Sequence, residues 1–92
     1  MSDVAPWAVE VSGEARRQLQ TLPPRIAPAI VEFITGPLAA NPYRLSKLLT
    51  KELAAYRSAR RGDYRVLIRL DDARRTMLVI RIQLRADVYR PR

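Results

Sequence analysis

Two stretches of alternating apolar residues, separated by a short polar break, limit what this chain can fold into more than any other feature. Tyr64, Val66, Ile68 and Leu70 recur at every second position, Asp71-Asp72-Ala73-Arg74-Arg75 interrupts them, and Leu78, Ile80, Ile82 and Leu84 resume the period. A period of two belongs to a strand with one buried face, so the pattern predicts an antiparallel hairpin of residues 64–70 and 76–84. The opposite face of the second strand then reads Met77, Val79, Arg81, Gln83 and Arg85. Alternate strand residues lie about 7 Å apart, a repeat comparable with that of successive phosphates in an extended nucleic acid. Upstream, Gly62-Asp63 permits the positive φ of a two-residue hairpin turn, which predicts a further strand from Leu53 to Arg61. Its faces are Leu53, Ala55, Arg57 and Ala59 on one side, and Ala54, Tyr56, Ser58 and Arg60 on the other.

The first half reads differently. Residues 1–6 form a loose leader, and Trp7, Val9 and Val11 alternate with Ala8, Glu10 and Ser12 as in a short half-buried strand. Ser12 suits a helix N-cap, Glu14 suits the dipole of the first turn, and Ala15, Leu19 and Leu22 make a narrow apolar stripe that Pro23-Pro24 ends. A second helix starts within Pro24 to Pro28 and carries Ile26, Ile30, Phe33, Ile34 and Leu38. Gly36-Pro37 is expected to kink or end it, and Asn41-Pro42 stops it. Tyr43 to Thr50 is expected to be a connector. The predicted architecture is α+β in a single domain, residues 1–92: an N-terminal strand, a two-helix hairpin, then a three-stranded antiparallel meander, all in one twisted sheet.

Charge is distributed unevenly over this order. The net charge is +8, of which residues 53–92 contribute +7, and fifteen of the seventeen basic residues are arginine. Arginine bonds phosphate oxygens in pairs and stacks on bases, so a nucleic-acid partner is favoured. With no histidine and no cysteine, imidazole acid–base chemistry, a thiol nucleophile and the commonest transition-metal ligands are absent, and neither a metal nor a cofactor is expected. No segment approaches roughly 20 uninterrupted apolar residues. Neither a signal peptide nor a membrane span is read, and a cytoplasmic location without membrane contact is expected.

The element order, the Leu22-Pro23-Pro24 break, the run from Tyr56 through Arg60-Arg61-Gly62-Asp63-Tyr64-Arg65, and the ending Arg85-Ala86-Asp87-Val88-Tyr89-Arg90 together resemble the RelE-like toxins of bacterial toxin–antitoxin pairs. The resemblance covers about residues 7 to 91. It implies a RelE/microbial-RNase-like fold and a ribosome-dependent endoribonuclease that cuts messenger RNA and is held inactive by a separate antitoxin. Such chemistry suits a chain without histidine or cysteine, because the RNA supplies its own 2′-hydroxyl as nucleophile.

The resemblance further implies a catalytic set of Arg65, Arg85, Tyr89 and Arg57. Arg65 would stabilise charge at the scissile phosphate, and Tyr89 would orient or deprotonate the attacking hydroxyl. Arg60, Arg61, Arg81, Gln83, Lys47 and Lys51 are candidates for RNA binding. Ala59 and Gln83 stand where some members carry lysine and a basic residue, and Leu84 where many carry histidine. The implied partners are the ribosome, messenger RNA and a RelB-like antitoxin in a hetero-oligomer, with an acidic antitoxin segment neutralising the arginines or displacing Asp87 to Pro91. Two other readings are a ParE-like toxin directed at DNA gyrase, and a basic module that binds nucleic acid or antitoxin without catalysis.

Overall fold

The computed structural model describes residues 5–49 and 56–84. Its order is β1 (Ala8–Val11), α1 (Gly13–Thr21), α2 (Ile26–Phe33), a π-helical turn (Ile34–Leu38), β2 (Ser46–Leu48), β3 (Tyr56–Arg61), β4 (Tyr64–Asp71) and β5 (Thr76–Leu84). The five strands form one sheet in the order β1-β5-β4-β3-β2. The meander from β2 to β5 is antiparallel, whereas β1 lies parallel to β5 at the sheet edge. The α+β architecture, the helix pair and the meander are as expected.

Three local features depart from the sequence reading or extend it. Residues 46–48 are a strand and not a connector, pairing Ser46, Lys47 and Leu48 with Ala59, Ser58 and Arg57. Three residues with a polar centre are too short to show a period, so only the neighbouring strand reveals them. In β5, Met77 and Val79 are fully buried whereas Leu78 and Ile80 are half-exposed, the reverse of the expected faces. The cause is a bulge: Leu67 pairs with Arg81 and Ile68 with Val79, leaving Ile80 as an extra residue that exchanges the two faces of the strand. Beyond it Ile82 is buried and Arg81 and Gln83 take the other face, as the sequence indicates. At Gly36-Pro37 the helix passes through the π-helical turn and is followed by two more helical residues. Pro37 has no N–H to donate, and the wider turn accommodates it.

Both helices cover one face of the sheet. Ile30, Phe33, Ile34 and Leu38 pack with Val66, Ile68, Met77, Val79 and Ile82 into a single buried cluster, which Trp7 and Ala15 join. The opposite face carries no helix among the described residues.

Ser12 ties the first helix to β5. Its Oγ accepts from the Ala15 N–H (3.0 Å) and donates to the Ile80 carbonyl (2.7 Å), and Gln18 Oε1 accepts from the Ile82 N–H (2.7 Å). β1 ends at Val11, opposite Val79, so these side chains satisfy backbone groups of β5 that have run past their neighbour. Ser12→Ala removes a cap and a strand bond together and is expected to lower the unfolding free energy by about 1–3 kcal/mol in urea denaturation.

Candidate functional site

The site begins with the β3–β4 hairpin. Gly62 has φ of 61°, the left-handed value that a tight turn demands and glycine adopts without a Cβ penalty. The turn sets the register: Arg61 lies opposite Tyr64, Arg60 opposite Arg65, Ser58 opposite Leu67 and Tyr56 opposite Arg69. Ala59 and Val66 are opposed and fully buried under the helices. Alternation therefore puts Arg60, Ser58, Tyr56, Arg65 and Arg69 on the face without helices. β2 adds Lys47, opposite Ser58, and β5 adds Gln83, opposite Arg65.

Of these residues, Lys47, Ser58, Arg60 and Arg65 line a cleft of about 400 Å³. Leu45, Leu48 and Leu49 complete its wall. No carboxylate is among these lining residues. Leu48 is 60% exposed beside Lys47, which gives the cleft an apolar lip suited to a flat, partly apolar group such as a base. Arg60 opposite Arg65 is a like-charge cross-strand pair, an arrangement that costs stability unless an anion offsets it. Arg81, opposite Leu67, also lies on this face, where its Nε is 3.0 Å from Glu14 Oε2. That pair, at half-exposed side chains, is worth at most about 1 kcal/mol.

Arg57 is placed elsewhere. It pairs with Ile68 on the helix-covered face, opposite in direction to Arg65. Its Nε donates to Ser46 Oγ (2.7 Å), its Nη2 donates to the carbonyls of Ser46 (3.0 Å) and Tyr43 (3.3 Å), and its guanidinium stands 4.9 Å from the centre of the Tyr43 ring. Tyr43 meets Trp7 edge to face at 5.9 Å, and Arg75 lies over Trp7 at 5.1 Å. The Tyr43 hydroxyl donates to both carboxylate oxygens of Asp72 (2.6 and 2.8 Å). That bond, with some desolvation, raises its pKa above the ordinary phenol value. The whole cluster fastens residues 43–46 to the β4–β5 hairpin. Arg57→Met is expected to cost about 1–3 kcal/mol of stability, measured by urea denaturation.

Of the expected site residues, Lys47, Arg60, Arg65, Arg81 and Gln83 thus share one face of the sheet. Arg61 lies with Gly62, Asp63 and Tyr64 beside Ile26, Ala29 and Ile30 of α2, at a separate depression of about 250 Å³. Lys51, Arg85 and Tyr89 lie outside the described residues. Ser58 and the three leucines of the cleft were not singled out from the sequence. Ser58 was legible, since it alternates with Arg60 ahead of the turn. The leucines were not, because they belong to the short β2 region. Among the described residues no helix is long and apolar enough to cross a membrane.

A helix pair on one side of a five-stranded sheet and, on the other, a cleft whose described lining is cationic define a small α+β protein that presents arginine and lysine from one sheet face. The sequence matches the family described as the ParE toxin of type II toxin–antitoxin systems over residues 9–89. It is 49% identical over 85 residues to the toxin RelG of Mycobacterium tuberculosis, covering 92% of this chain and 98% of the relative. With the toxin RelE of the same organism it shares 48% over 90 residues, covering 98% and 93%. Among solved structures, a RelBE toxin–antitoxin complex from Mycobacterium tuberculosis superposes with a TM-score of 0.86 at 46% identity, over 95% of this chain and 100% of the other. The isolated RelE toxin of E. coli shares the fold at a TM-score of 0.69 and 12% identity, covering 85% and 83%. The chain belongs to the RelE/ParE family of type II toxins and is RelE-like.

Proposed function

We propose that this toxin is an endoribonuclease that cuts messenger RNA on the ribosome and so arrests translation. The observation that carries the reading is the cleft in which Arg60 and Arg65 are opposed across the hairpin beside Lys47, with no carboxylate among the described residues that line it. A phosphodiester seated there receives paired guanidinium contacts. The RNA 2′-hydroxyl attacks the adjacent phosphorus, and Arg65 holds the dianionic charge that develops on the nonbridging oxygens. Arg60 and Gln83 contact the strand on either side. Arg85 and Tyr89 are assigned to the same reaction on the family resemblance, Tyr89 orienting or deprotonating the attacking hydroxyl. Arg57 is assigned to positioning: it holds Ser46, the residue before Lys47, in place. Its substitution reduces cutting less than substitution of Arg65 does.

The partner is a RelB-like antitoxin whose acidic segment competes with RNA for the cationic face, a contact that salt weakens. The family description names ParE, and the gyrase-directed reading is kept as the alternative for that reason. Induced expression followed by mapping of message 5′ ends separates the two. New ends inside translated codons support the nuclease, whereas arrest with intact messages and altered DNA supercoiling overturns it.

A further inference from the structure

Cleavage of an RNA phosphodiester through its 2′-hydroxyl needs a proton for the departing 5′-oxygen. Arginine holds its proton too tightly to give it up near neutral pH, and the chain has no histidine. Among the described residues that line the cleft, one carries an amine. Lys47, the only lysine among the described residues, comes from β2, opposite Ser58, and lines the cleft that Arg60 and Arg65 border. Its position is fixed from behind. Ser46 is buried, its backbone and hydroxyl oxygens accept from Arg57, and Ser46 Oγ donates to the Pro42 carbonyl (2.5 Å). A bare surface lysine has no such anchor one residue away. Lys47 is thereby separated from Arg57 by the pleat: the same strand turns Ser46 into the interior and Lys47 into the cleft.

We propose that Lys47 is the general acid of the cleavage, an inference that rests on the nuclease reading above. The 2′-oxygen forms a bond to phosphorus as its own proton leaves to the base assigned to Tyr89 or to water. The bond from phosphorus to the 5′-oxygen breaks with its electron pair going to that oxygen, which takes a proton from the Lys47 ammonium. The products are a 2′,3′-cyclic phosphate and a 5′-hydroxyl, and the neutral amine recovers its proton from solvent. The step is an intramolecular transesterification at phosphorus, with no oxidant or other reactant.

Lys47→Arg keeps the charge and the phosphate contact but removes the usable proton. Lys47→Met removes both. Each is compared with wild type in single-turnover cleavage on ribosomes carrying a message with either an ordinary linkage or a 5′-phosphorothiolate at the cut. Sulfur leaves without protonation, so loss of a general acid is masked on the second message. Lys47→Arg is expected to cut the ordinary linkage about 10²–10⁴-fold more slowly and to recover on the thiolate to within about tenfold of wild type. Equal slowing on both messages overturns proton donation and leaves Lys47 a binding residue. Unchanged cutting of the ordinary linkage overturns the inference outright. If wild type itself cuts neither message, the nuclease reading falls and this one with it. Lys47 is exposed, and circular dichroism of both variants checks that the fold is kept.

Discussion

Arg65→Ala is expected to lower single-turnover cleavage of ribosome-bound message by about 10²–10³, the loss that follows removal of one donor to a developing oxyanion. The expectation rests on where the residue sits. Arg65 is held on the bare face by pairing with Arg60 on one side and Gln83 on the other, and the cleft is built around it. Arg65→Lys keeps the charge but loses the paired geometry, so it recovers only part of the rate. Arg65 lies outside the buried core cluster, so its truncation opens no cavity there and the fold is expected to be kept. Urea denaturation of Arg65→Ala separates a loss of cutting from a loss of fold. Cleavage within about threefold of wild type would remove Arg65 from the reaction, since the electrostatic effect is far larger than that.

Ile68→Ala is expected to be the most damaging single change to stability, about 2–5 kcal/mol. Ile68 is fully buried on the central strand, in the cluster that joins both helices to the sheet. For a domain whose total stability is on the order of 5–15 kcal/mol, that loss leaves little reserve. Leu67, its neighbour in sequence, points the other way and serves as the control: Leu67→Ala is expected to cost much less. Urea denaturation of the two variants compares the faces directly. Similar losses for both would contradict a core on one side and an open face on the other.

The pattern of these faces was largely legible before the structure. The period from Tyr64 to Leu70, the Gly62-Asp63 turn and the Ser12 cap are local signals, and each corresponds to a contact within a few residues. The bulge at Ile80 is not local. It depends on how β5 meets β4, and a single extra residue leaves no mark in a run as uniformly apolar as Met77-Leu78-Val79-Ile80. β2 was missed for a related reason, since Ser46-Lys47-Leu48 is held by β3 and by Arg57 and not by its own propensity. The ring cluster of Trp7, Tyr43, Arg57 and Arg75 joins four distant parts of the chain, and spacing does not encode it.

The cationic face was legible in part. Arg60, Arg65 and Gln83 follow from alternation and a two-residue turn. Alternation also separates Arg57 from Arg65: with Arg61 opposite Tyr64, Arg57 falls opposite Ile68, on the buried side. The family resemblance joined the two arginines, whereas the pleat parts them. From the sequence Lys47 is a candidate for RNA binding alone, because three residues with a polar centre show no strand period. Its closeness to Arg60 and Arg65 follows from the pairing of β2.

The most direct test of the central claim is purified protein mixed with ribosomes programmed with one message, the message 5′ ends being read by primer extension. The account predicts a new end within the codon in the decoding site, present with wild type and nearly lost with Arg65→Ala. An intact message, from a preparation that nonetheless blocks DNA supercoiling by gyrase, would contradict it and assign the cationic cleft to a different target.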